Sequence, residues 1–106
     1  MEAPDELFRA LADPTRRAIF ERLVSEGEQT VRALTDFAGV SQPAVSKHLA
    51  LLKVAKLVRC QQVGREVRYR AETRGLGPLV DWMSQYGAFW NDHLDRLESL
   101  LERMEP

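Results

Sequence analysis

Gln42, Ser46 and Lys47 share a stretch of chain with Val45, Leu49 and Leu52. On a 100° helical wheel the apolar three cluster on one side, and Pro43, Ser46, Lys47 and Ala50 occupy the other. A glutamine amide pairs in bidentate fashion with adenine, and a serine hydroxyl donates to or accepts from any base. The polar face therefore has the chemistry of a base-edge reader in a DNA major groove. Lys47 and the Ser41 hydroxyl are better suited to phosphate oxygens, as are the free backbone N–H groups of the helix N-terminus and Thr30, which opens the preceding helix. His48 lies at the border of the two faces, where it either donates to a phosphate or closes the helix pair as a half-buried histidine. Arg65 sits between two segments of alternating pattern, and a tight turn there would project it into a minor groove, where the potential is most negative. Arg68 and Arg70 follow at outward positions suited to phosphate contact.

These side chains need a scaffold behind the helix and a turn beside it. Thr30 to Lys53, TVRALTDFAGVSQPAVSKHLALLK, reads as a helix, a glycine turn and a second helix. Thr30 caps the first, which carries Val31, Leu34, Phe37 and Ala38. Gly39 supplies the turn, because glycine takes a left-handed backbone angle without steric cost, and Val40 packs under it. Ser41 caps the second helix, and Pro43 is tolerated in its first turn. Upstream, Leu7, Phe8 and Leu11 mark a short helix over 5–12. Asp13 as N-cap and Pro14 at the first helical position open another, which runs to about Ser25 with Ala18, Ile19, Phe20 and Leu23 inward; Gly27 stops it. After Leu57 the period drops to two residues. VRCQQV and VRYRA alternate about Gly64-Arg65, so 57–71 is a β-hairpin with Val67, Tyr69 and Ala71 on one face and Arg68 and Arg70 on the other. Gly75, Gly77 and Pro78 break the chain, and one long helix is predicted over 78–105. The predicted fold is mainly α with a β-hairpin wing, in the order α-α-α-α-β-β-α. It is a single winged helix-turn-helix domain over 1–106, with the helix-turn-helix at 30–53.

Charge supports this reading once the chain is divided. Net charge is −1, yet residues 41–74 carry eight basic and two acidic side chains, or +6, and the remainder carries −7. A basic segment in an otherwise acidic chain is the electrostatic footprint of a nucleic-acid surface. The 106 residues bury only a modest core. No window approaches the ~18 apolar residues of a membrane span, and the acidic N-terminus is not that of a secretory signal. The single cysteine, Cys60, fits a reducing compartment, and a cytoplasmic location is expected.

The C-terminal segment carries a second signal. Leu79, Met83, Tyr86, Trp90, His93, Leu97, Leu100 and Met104 follow the 4-3 spacing of a heptad seam, widened by Trp82, Phe89, Leu94 and Leu101. One small domain cannot cover so broad a stripe. The expected dimer interface is Leu7, Leu11, Met83, Tyr86, Trp90, His93 and Leu97, with the N-terminal helix and a second subunit sharing the cover. Such a two-fold dimer sets two recognition helices about one DNA turn, ~34 Å, apart. His93 fixes register as the polar residue of the seam. The crowded Trp82, Tyr86, Phe89 and Trp90 suit core or interface better than a pocket for an apolar inducer.

The strings LADPTRRAIFERL, SQPAVSKHLALLK and GREVRYR, in that order and spacing, resemble the ArsR-type (ArsR/SmtB-like) winged-helix transcriptional repressors. The resemblance is close over about 5–74 and positional over the C-terminal helix. It implies a homodimer that binds an imperfect palindrome near its own promoter and blocks transcription, with Gln42, Ser46, Lys47 and the wing at Arg65 facing double-stranded DNA. Metal-sensing members of that family use thiolates in the helix before the turn, or His and carboxylate ligands on the C-terminal helix. Here VRALTDFA has no cysteine, and His93 has only Asp92 and Asp95 nearby, short of the three or four ligands a transition metal needs. The chain therefore resembles a non-metal branch, with no cofactor expected. A metal-responsive repressor with an interfacial site around His93 is the alternative. Cys60 alternates with Val58 and is expected to point coreward as a small hydrophobe. No Ser-His-Asp order, phosphate-binding glycine loop or nucleophile with a base marks an enzyme. A protein-interaction module is disfavoured by the basic wing and polar recognition face.

Overall fold

The computed structural model describes residues 3–104. The chain folds as α1 (Asp5–Ala12), α2 (Pro14–Glu26), β1 (Gln29–Thr30), α3 (Val31–Ala38), α4 (Gln42–Val54), β2 (Val58–Val63) and β3 (Glu66–Ala71). A 3₁₀ turn (Thr73–Leu76), α5 (Gly77–Ser84) and α6 (Gly87–Met104) follow. Each N-terminal helix starts where its sequence says. Asp13, Thr30 and Ser41 accept from the backbone N–H of Arg16, Ala33 and Ala44, at 3.0, 3.1 and 3.3 Å. Each side chain thereby satisfies one of the donors a helix N-terminus leaves free.

The core comprises Leu7, Ala10, Ile19, Phe20, Leu23, Leu34, Val45, Leu49, Leu52, Ala55, Leu57 and Val58. All of it lies between α1 and the start of β2, and each large side chain buried there is worth about 1.5–3 kcal/mol of removed apolar surface. Phe37 does not join it. That ring is 43% exposed and is covered by the Arg22 guanidinium, 4.9 Å from its centroid. Val40 likewise stays exposed beside the turn.

The wing is more than a hairpin. β2 and β3 pair antiparallel with Cys60 opposite Tyr69 and Val63 opposite Glu66, and β1 adds to β3 with Gln29 opposite Tyr69 and Thr30 opposite Arg68. The sheet order is β1-β3-β2. Two residues are too few to show a period of two, so β1 has no signature in the sequence. Its effect is large all the same. Thr30 is at once the last residue of β1 and the cap of α3, which ties the wing to the helix-turn-helix.

The long helix expected over 78–105 is two helices. Gln85 and Tyr86 donate to the carbonyls of Trp82 and Met83, three residues back. The Ser84 hydroxyl takes the Asp81 carbonyl at 2.7 Å. The α-helical ladder therefore tightens and lapses before Gly87, a residue of poor helix propensity. Residue 105 lies outside the described residues. The α6 helix stands away from the rest: the molecule measures 66 × 34 × 21 Å, with a radius of gyration of 18.8 Å against about 13 Å for a compact chain of this length.

Candidate nucleic-acid interface

Helices α3 and α4 are joined by Gly39 at φ 69° and ψ 18°, whose N–H donates to the Thr35 carbonyl. That left-handed residue turns the chain within three positions and lays α4 across α3. Val45, Leu49 and Leu52 are fully buried beneath α4. Ser46, Lys47 and Ala50 are exposed on its far side, and Gln42 is exposed at its first turn. The burial of one face fixes which way the other points, so Ser46 and Lys47 are presented outward, with Gln42 exposed beside them at the start of the helix. Thr30 and Ser41 each spend an oxygen lone pair on capping; their hydroxyl hydrogens are still free to donate to a phosphate.

Helix α4 ends in a Schellman motif. Leu57 donates to the Leu52 carbonyl at 2.9 Å and Lys56 to that of Lys53 at 3.0 Å. Lys56 sits at φ 62°, alone among the described non-glycine residues in having a positive φ. Two further contacts brace this end. Glu72 donates its N–H to the Leu57 carbonyl at 2.7 Å, and Gly75 packs so close that a Cβ there would lie 2.0 Å from the Lys56 carbonyl oxygen. The segment after the wing is thus a strut under the recognition helix, and Gly75 is required for it.

In the wing, Gly64 has φ 65° and Arg65 does not share its positive sign, the pattern of a type II′ hairpin turn. Arg65 is exposed at the tip and, among the described residues, has no ion-pair partner. Arg68 differs. It is half-buried and faces Glu28 at 3.7 Å and Glu66 at 3.8 Å; its Nε, at ion-pair distance from Glu66, is beyond hydrogen-bond reach of it. Arg68, expected to contact phosphate, thus also ties β3 to the segment before β1. Arg59 is likewise taken by Glu72, at 2.7 Å.

His48 is half-buried, with Nδ1 3.4 Å from Nη1 of Arg16. Arg16 is a residue that helical periodicity does not mark. Its Nε donates to the Ala10 carbonyl at 2.7 Å and its Nη2 to that of Arg9 at 2.9 Å. Arg17 donates to Leu11 at 2.7 Å. The paired arginines of DPTRR thus cap the C-terminus of α1 from the next helix; two basic residues just past an N-cap are the available signal. The Arg16 N–H holds the Asp13 carboxyl below its ordinary pKa, with smaller electrostatic help from His48 and the Arg16 guanidinium. Because that pKa is lowered on folding, the stabilisation is present above the unfolded-state value and is lost as pH falls through the folded one.

Cys60 is half-buried rather than in the core. Its sulfur accepts from Nζ of Lys53 at 3.3 Å, beside Tyr69, whose hydroxyl is pushed up in pKa by burial first and by Cys60 second. Of the expected dimer residues, Leu7 is buried in the protomer's own core and leaves a partner little to touch. Leu11 is half-buried. Met83, Tyr86, Trp90, His93 and Leu97 are exposed, Trp90 by 60%. The aromatics form two groups, one on each side of Gly87. Trp82 packs on Phe8 of α1 and on Tyr86, centroids 5.1 and 5.2 Å apart, whereas Phe89 packs on His93 at 4.2 Å. Among the described residues, no three His, Cys, Asp or Glu side chains come together as a metal would need. No helix there is long and apolar enough to cross a membrane.

A helix-turn-helix domain family model matches residues 11–61. The HTH-type transcriptional regulator Rv2034 of Mycobacterium tuberculosis is 39% identical over 94% of this chain and 90% of its own length. The HTH-type transcriptional repressor SmtB of the same organism is 44% identical over 76% of this chain, which spans 58% of that repressor. Among solved structures, an ArsR-like transcriptional regulator from Rhodococcus sp. RHA1 superposes with a TM-score of 0.72 at 33% identity, covering 92% of both chains. The homodimeric winged helix-turn-helix DNA-binding domain Mb0332 of Mycobacterium bovis does so with a TM-score of 0.63 at 27% identity, over 77% of this chain and 78% of that one.

Proposed function

The chain belongs to the ArsR/SmtB family of winged helix-turn-helix transcriptional regulators, and from that premise we propose that it is a homodimeric, metal-independent repressor of an imperfect palindrome. The observation that carries this reading is the exposure of Gln42, Ser46 and Lys47 on a helix whose Val45, Leu49 and Leu52 are fully buried. Gln42 and Ser46 read base edges in the major groove. Lys47, Thr30, Ser41 and the N-terminus of α4 hold phosphates. Arg65, exposed at the wing tip and without an ion-pair partner among the described residues, enters the minor groove. The partner is a second copy of the chain, seated on the exposed apolar stripe of α5 and α6 with help from Phe8 and Leu11. Two-fold symmetry then presents two recognition helices to half-sites about 34 Å apart. The absence of cysteine from α3 supports metal independence, and the chain works where DNA is, in the cytoplasm.

The test is a fluorescence-anisotropy titration of chelator-treated protein against an operator duplex selected from random-sequence DNA, with excess competitor. The expected result is competitor-resistant binding that saturates at two chains per palindrome and weakens with salt. Arg65→Ala lowers the salt slope by about 1. Binding that needs added zinc would assign a metal site around His93 instead. Affinity independent of salt would replace DNA by a protein partner.

A further inference from the structure

Arg16 touches three things at once: the last carbonyls of α1, the cap of α2 and the imidazole of the recognition helix. A guanidinium has donors and no acceptor, so its 3.4 Å contact with His48 Nδ1 is a hydrogen bond only when Nδ1 carries no proton. As a hydrogen bond, the contact calls for the His48 tautomer with its proton on Nε2. Resting on the repressor reading above, we infer that Arg16 and His48 are positioning residues. Together they fix the angle of the recognition helix against α1, and with it the fit of its exposed polar side chains to bases.

The charges around the ring set the direction of its response to acid. Arg16 and Asp13 come from α2. Glu6 and Arg9 of α1 line the groove that Arg16 shares with α4, and Lys47 precedes the ring on α4 itself. Protonation removes the acceptor and sets an imidazolium against the Arg16 guanidinium. Asp13, kept ionised by its cap hydrogen bond, attracts the charged ring. The link to α1 is lost, and base reading loosens with it. A His48 that contacted phosphate would respond oppositely, since an added positive charge strengthens a phosphate contact.

The experiment measures selectivity, the ratio of operator to random-duplex affinity, between about pH 8 and about pH 5.5, the range in which imidazoles change charge. In the intact wild-type chain selectivity falls about tenfold with acid, the size expected of one charge-assisted hydrogen bond. His48→Asn keeps an acceptor near the Nδ1 position and cannot titrate, so its profile is flat. Arg16→Gln lowers selectivity throughout. Tighter binding of the wild type in acid, or an equal pH slope in His48→Asn, would overturn the inference. Nitrogen-15 NMR of the imidazole tests it without DNA: proton on Nε2 at high pH is expected, and proton on Nδ1 would overturn it. If the wild type showed no selectivity at any pH, the repressor reading would fall. The positioning role would fall with it, and the imidazole spectrum would report only whether the Arg16 contact exists.

Discussion

The two halves of this molecule use apolar residues in opposite ways. From α1 to the start of β2 they are turned inward, and seven of them, including Leu34, Leu49 and Leu57, are less than 2% exposed. From α5 onward no described residue is buried, and Trp90, Leu94, Leu97, Leu100, Leu101 and Met104 are each more than half exposed. A contiguous apolar face of that extent marks an interaction surface. On the function proposed here, the DNA-reading half is completed by its own chain, and the C-terminal half by a second copy.

The same substitution in each half separates the two most sharply. Leu49→Ala should cost about 2–5 kcal/mol of unfolding free energy and abolish DNA binding, read by denaturant titration. Leu97→Ala should leave the core unfolding transition of the protomer in place and weaken self-association, read by sedimentation. An interchange of these outcomes would mean that α6 packs internally. Gly75→Ala tests the strut joining the halves. The new methyl meets a backbone carbonyl that cannot rotate away, so a loss of about 1–3 kcal/mol is expected, and an unchanged Tm would show that the strut gives freely. Gln42→Ala should leave Tm alone and cost about 1–3 kcal/mol at the operator with little change on random DNA; equal losses on both would remove Gln42 from base reading. The smallest effect is a gain. Lys56→Gly relieves a left-handed lysine and should stabilise by about 1 kcal/mol, read as a rise in Tm.

Much of the reading half was legible because its signals are local. A cap and the N–H it accepts lie three residues apart, as with Asp13, Thr30 and Ser41, and Gly39 announces its turn by residue type alone. The hairpin about Gly64-Arg65 is equally short-range. What stayed hidden depends on partners distant in sequence or on rare conformations. Arg68 is held by Glu28, forty positions away, and two-residue β1 exists only because β3 accepts it. Arg16 reaches back six and seven residues to Ala10 and Arg9, and across to His48. Lys56 adopts an angle that sequence assigns to glycine. The break at Gln85 is invisible to periodicity, because apolar residues recur at helical spacing on both sides of it.

The most direct test is sedimentation velocity of the intact chain on a labelled operator duplex, beside Leu97→Asp. The account predicts two protomers per duplex for the wild type. For Leu97→Asp it predicts a folded monomer that binds a half-site weakly. One wild-type protomer bound per duplex at full affinity, or a Leu97→Asp chain that still assembles as a dimer, would contradict it.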